Sequence, residues 1–118
     1  MDPADVVPVE EAIRRYPRLA GLRAMVERGW KFFIREADGR LLQVDGFYCW
    51  PQDITDAIAI HSETNACGCR THGDEHDIVW KQTGTVADVI DGLLELPAPG
   101  EPNAPHLVRG AAPRLWTP

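Results

Sequence analysis

The stretch Trp30–Val44, "WKFFIREADGRLLQV", decides the fold. Two bulky apolar runs flank Asp38-Gly39, a dipeptide that tolerates the two positive φ angles of a tight type I′ hairpin turn. A two-residue loop pairs Glu36 with Leu41, Arg35 with Leu42 and Phe33 with Val44. Side chains alternate across a strand, so this register gathers Phe33, Leu42 and Val44 on one face, the expected core face. The second strand should run on, with a bend at Asp45-Gly46, through "FYCW" (47–50) until Pro51 stops it.

Downstream, "ITDAIAIHSET" (54–64) fits two periodicities. Ile54, Ala57, Ile58 and His61 suit a helix, whereas Ile58 and Ile60 alternating with Ala57, Ala59 and His61 suit a strand. β-branched residues cluster there and strands flank it, so a turn at 52–55 and a strand at 56–62 are expected. "NACGCRTH" (65–72) and "DIVWKQT" (77–83) read as another antiparallel pair, joined across "GDEH" (73–76). In "TVADVIDGLLEL" (85–96), Thr85 is a helix N-cap, and Asp88 three residues on makes a near capping box. Val86, Val89, Ile90, Leu93 and Leu94 form one apolar stripe before Pro97 ends the helix.

Upstream, Val9, Ile13 and Tyr16 stand at helical spacing until Pro17 interrupts. "PRLAGLRAMVERG" (17–29) then opens on proline and closes on glycine, with Leu19, Leu22, Met25 and Val26 as its stripe. Two short helices or one kinked helix follow from this. The expected fold is α+β: an antiparallel sheet of about five strands, with N-terminal helices and one C-terminal amphipathic helix on one face. Residues 1–97 form the domain and residues 98–118 a Pro-rich extended tail. The six prolines after Glu95 forbid a long helix there. Disorder is expected up to about Pro105, but Leu107, Val108, Leu115 and Trp116 restore apolar character near the end. Trp116 and Leu115 are therefore expected interface anchors, packing back on the domain or clasping a second copy.

The chain has 118 residues, 44% hydrophobic and 25% charged, enough for one core without staples. No apolar run approaches the roughly 18 residues of a membrane span. "MDPADVVPVEEAIRRYP" lacks the basic and apolar regions of a signal peptide, so a cytoplasmic location is expected. Three cysteines cannot all pair with one another, and free thiols are expected. Arginine outnumbers lysine ten to two, which suits the GC-rich codons of a bacterial genome. Net charge is −6, which disfavours general attraction to nucleic acid or anionic lipid. Residues 14–28 hold five arginines against Glu27, a local +4, so the remainder carries −10. That basic segment could track phosphates, but no recognition helix accompanies it.

Cys67, Cys69, His72 and His76 offer zinc-ligand chemistry in a C-x-C-x₂-H-x₃-H pattern. The spacing opposes it. Residues two apart on a strand lie about 6.6 Å apart, whereas two sulfurs on tetrahedral zinc must lie about 3.8 Å apart. Gly68 could kink the strand and relieve this, although His72 and Cys69 start on opposite faces. A disulfide between Cys67 and Cys69 is at the long edge of allowed geometry, and no C-x-x-C is present. The plainer reading makes both cysteines small core-facing strand residues. Cys49 or Cys69 with His61 or His72 could form a catalytic pair, and a pocket lined by His61, Cys49 or Asp56 would be its structural sign. No P-loop, G-x-G-x-x-G, H-E-x-x-H or nucleophile elbow occurs. Trp30, Trp50, Trp80 and Trp116 read as core or interface anchors.

The residues therefore favour a small binding or regulatory module without catalytic activity or cofactor, acting on a protein partner or as a homodimer. A zinc protein using Cys67, Cys69, His72 and His76 is the alternative, and a small Cys/His enzyme the third. The final helix supplies a direct check. Leu93→Ala or Ile90→Ala should cost roughly 2–5 kcal/mol in a denaturant melt, and Asp91→Ala or Glu95→Ala should stay within about 0.5 kcal/mol. Equal costs for the two sets would misassign the buried face.

Overall fold

In the computed structural model, which describes residues 6–38, 40–105 and 110–111, the hairpin joins β2 (Lys31–Ala37) to β3 (Arg40–Trp50). Asp38 takes φ 53°, the left-handed conformation such a turn demands. Ala37 pairs with Arg40 and Glu36 with Leu41, as a two-residue loop requires. The register then shifts: Arg35 pairs with Gln43, Ile34 with Val44 and Phe33 with Asp45. Leu42 is the extra residue of a β-bulge, and a one-residue slip exchanges faces. The expected core face is thereby corrected. Ile34 and Val44 are fully buried, while Phe33 is 45% and Leu42 52% exposed. The bulge lets the two aliphatic residues face the helices together.

β4 (Ile54–Ser62), β5 (Asn65–His72) and β6 (Asp77–Gly84) continue the meander. The ambiguous 54–64 stretch is thus a strand, starting two residues before the expected 56. Two-residue strands extend both edges: β1 (Val6–Val7) pairs with Ile34 and Arg35, and β7 (Gly110–Ala111) pairs with Asp77 and Ile78. All pairings are antiparallel, in the order β1-β2-β3-β4-β5-β6-β7. At the start of the Pro-rich tail, residues 98–104 make two successive turns, closed by Glu101 N–H to Ala98 O and Ala104 N–H to Glu101 O. Leu115 and Trp116 lie outside the described residues. No helix among the described residues is long and apolar enough to cross a membrane.

Among the described residues, three helices cover one face, called inner below. α1 (Val9–Arg15) stops before Pro17, which opens a 3₁₀ turn (Pro17–Leu19), and α2 (Leu22–Glu27) follows. Gly29, at φ 98°, closes α2. Its N–H reaches Val26 O and the Trp30 N–H reaches Met25 O, the paired bonds of a Schellman motif. α3 (Val86–Glu95) begins as expected, with Thr85 Oγ1 accepting from the Asp88 N–H at 3.1 Å. Leu19, Leu22, Met25, Val89, Ile90 and Leu93 pack with Ile34, Val44, Ile58, Ile60 and Ala66 of the sheet. α3 sits close because Gly68 lies beneath it: a Cβ there would come within 2.9 Å of Val89 and 3.0 Å of Leu93.

α1 is tied to β2 by polar contacts. Glu36 accepts from the Tyr16 hydroxyl and from Arg15 Nη1 (2.5 Å), and Arg15 also meets Glu11 at 2.6 Å. The Tyr16 hydrogen bond first, then Arg15, holds the Glu36 carboxyl below its usual range. A depressed folded-state pKa adds stability above the unfolded value of about 4.3 and loses it as pH falls through the folded value. Glu36→Gln should therefore flatten part of the fall in urea midpoint between about pH 7 and about pH 3. Parallel curves for parent and variant would show that the contact contributes nothing in solution.

Candidate functional site

Cross-strand register lines up the inner face in rows. One row is Phe32, Gly46, Ile58 and Gly68; the next is Tyr48, Asp56, Arg70 and Trp80. The first row is apolar and tight. A Cβ on Gly46 would meet the Phe32 ring at 2.4 Å, so only glycine lets that ring lie across β3. The second row puts an acid opposite a cation in the interior. Asp56 is 3% and Arg70 1% exposed.

The pair is fully hydrogen-bonded. Arg70 Nε donates to Asp56 Oδ1 at 2.6 Å and Nη2 to Oδ2 at 2.9 Å, a bidentate fork. Trp50 Nε1 adds a third bond to Oδ2 at 2.9 Å. Arg70 Nη1 donates to the Pro97 carbonyl at 2.7 Å, which ties the chain leaving α3 to the sheet. The guanidinium also stands 5.7 Å from the Trp50 ring centroid, within cation–π range.

Two cavities adjoin this network. One, of about 380 Å³, has Trp30, Tyr48, Trp50 and Asp56 on the sheet side and Leu93, Leu94, Leu96 and Ala98 from α3 and beyond, with Arg28 also lining it. Its aromatic wall is continuous. Tyr48 and Trp50 meet edge-on at 4.8 Å, and Trp30 lies 6.3 Å from Tyr48. The other, of about 350 Å³, lies between Ile54, Arg70 and His72 and the turns of 99–105.

The cysteines and histidines singled out in the sequence are placed apart. Cys67 and Cys69 share the outer face of β5, since Ala66, Gly68 and Arg70 take the inner positions; this corrects the core-facing reading. All three cysteines are free. Burial pushes the Cys69 thiol up to about 12 and raises Cys67 as well, which keeps both protonated near neutrality. His72 ends β5 and lines the second cavity, on the opposite face from the cysteines, while His76 closes the β5–β6 turn at φ 54°. Among the described residues no three His, Cys, Asp or Glu side chains converge around a point where a metal ion could sit. His61 and Cys49 are exposed, and among the described residues no hydrogen bond joins a cysteine to a histidine. Asp56 does line a cavity.

Sequence reasoning overlooked Arg70 and the aromatic wall. The signal was the parity of β4: as a strand, Asp56 shares a face with Ile58 and Ile60. An acid on an otherwise aliphatic face demands a buried cation, and Arg70 holds the matching position on β5.

The outer face has a different character. One row runs Lys31, Phe47, Ala57, Cys69, Lys81; the next runs Phe33, Asp45, Ala59, Cys67, Thr83. Phe33 and Phe47 stack at 5.9 Å. Small residues fill the middle, and the three helices of the described residues lie on the other side. No family model, curated protein or solved structure matches this chain.

Removing one member of the buried pair leaves an uncompensated charge. Asp56→Ala should cost about 3–5 kcal/mol in a denaturant melt. The double variant Asp56→Leu with Arg70→Met should recover most of that loss, because an apolar pair of similar volume needs no partner. If the double variant is no more stable than Asp56→Ala, the packing around the pair outweighs its charge.

Proposed function

We propose that the protein is a non-catalytic binding module acting through protein contacts, and that its outer sheet face receives an acidic amphipathic helix of a partner. The observation that carries this is the row Lys31, Phe47, Ala57, Cys69, Lys81. The chain's two lysines stand at its ends, in a protein of net charge −6. With Arg35 further along the same face of β2 and Asp45 as the carboxylate of these two rows, the face is cationic on an acidic protein. Strands about 4.8 Å apart separate the lysines by roughly 19 Å, and a helix with its side chains is about 10–12 Å across. Ala57, Ala59 and the cysteines keep the floor low enough for a helix to approach. Phe33 and Leu42 are the large apolar side chains most exposed among the described residues, and exposed apolar area of this kind marks contact surfaces. Burial raises the Cys67 and Cys69 thiols, which disfavours thiolate chemistry on this face.

The test is a selection of helix-length peptides from a random display library against the whole chain. Binders should carry apolar residues at helical spacing with Asp or Glu on the flanks. Their affinity should fall by roughly tenfold or more for Phe33→Ser and for Lys31→Glu with Lys81→Glu. Binders without acidic bias, or indifferent to both variants, would overturn the assignment. A concentration-dependent dimer in sedimentation that Phe33→Ser dissolves would give the face to a second copy instead.

A further inference from the structure

We propose that the aromatic cavity beneath the end of α3 binds a small planar aromatic carboxylic acid, independently of the outer face. Its volume, about 380 Å³, falls in the range of about 300–1,000 Å³ typical of small-molecule sites. Indole and phenol rings form one wall and leucines the other, a surround that takes a flat ring by stacking and apolar burial.

The polar groups decide the head group. Asp56 already accepts three hydrogen bonds and is matched by Arg70, so its charge is spent within the protein. Arg28 is not matched. Its Nη1 donates to the Leu94 carbonyl at 3.0 Å, and among the described residues it meets no carboxylate. The Tyr48 hydroxyl has no hydrogen-bond partner among the described residues. Both residues line the cavity, and the Tyr48 ring edge packs on the chain just after Arg28, with Cε2 3.4 Å from the Cβ position of Gly29. The uncommitted groups at this end of the cavity are a cation and an O–H donor, which suits a carboxylate. An amine would find Asp56, the acid that lines the cavity among the described residues, already occupied.

Titrations of the whole chain with naphthylacetate, naphthylethylamine and naphthylethanol, followed by the tryptophan indole N–H signals, test this. The three probes share a ring and differ in head group. The acid should shift the Trp30 and Trp50 signals saturably, with an affinity roughly tenfold above that of the alcohol, as one charge-assisted hydrogen bond implies. The amine should bind most weakly. Arg28→Gln should bring the acid to the level of the alcohol and leave the alcohol unchanged. Tyr48→Phe, which keeps the ring, should weaken the acid more than the alcohol. Absence of saturable shifts at Trp30 and Trp50, or an amine as tight as the acid, would overturn the proposal. So would equal losses for acid and alcohol in Arg28→Gln.

Discussion

The bidentate contact between Arg70 and Asp56 is the constraint on which the inner face depends. Two charges 1% and 3% exposed survive there because every strong bond each makes is to a group held by the fold. The contact spans β4 and β5 directly, so it also locks their register. A slip of one residue would send one charge to the outer face and strand the other among aliphatic side chains. Through the Pro97 carbonyl, the same guanidinium sets where the chain goes after α3. Through the Trp50 indole N–H, Asp56 orients the outermost ring of the aromatic wall. Register, helix exit and cavity wall are thus coupled through two side chains. Buried ion pairs contribute little net stability compared with apolar packing, and their value here lies in specifying one arrangement.

Glycine accounts for how closely the layers approach. Gly46 gives the Phe32 ring room to cross β3, and Gly68 gives α3 room to settle on β5. Gly92 in α3 answers from the helix side: a Cβ there would collide with Gln82 at 2.0 Å and touch Trp80 at 3.4 Å. Glycine inside a helix costs about 1 kcal/mol relative to alanine, and this close approach to β6 supplies a reason to carry that cost. Among the described residues, no helix lies above the outer face to explain its small residues. Ala57, Ala59 and Cys69 are buried there, with the larger Phe47 and Lys81 paired beside Ala57 and Cys69. The resulting trough between two lysines underlies the binding role proposed for it.

Local chemistry in the sequence was enough for the elements. Asp38-Gly39 demands a hairpin, Pro17 divides the first helical region, Gly29 ends α2, and Thr85 with a 3.6-residue apolar stripe makes α3. These are short-range effects of backbone conformation and periodicity, so reading them needs no partner. The α+β class and the antiparallel sheet follow from them. Tertiary packing alone decided which face each strand residue took. Alternation in Phe33–Val44 is compatible with either side until the bulge at Leu42 aligns Ile34 with Val44 against the helices. Packing likewise sent Cys67 and Cys69 outward and turned Arg70 inward onto Asp56. A strand's faces differ only in what covers them, and that cover comes from residues distant in the chain.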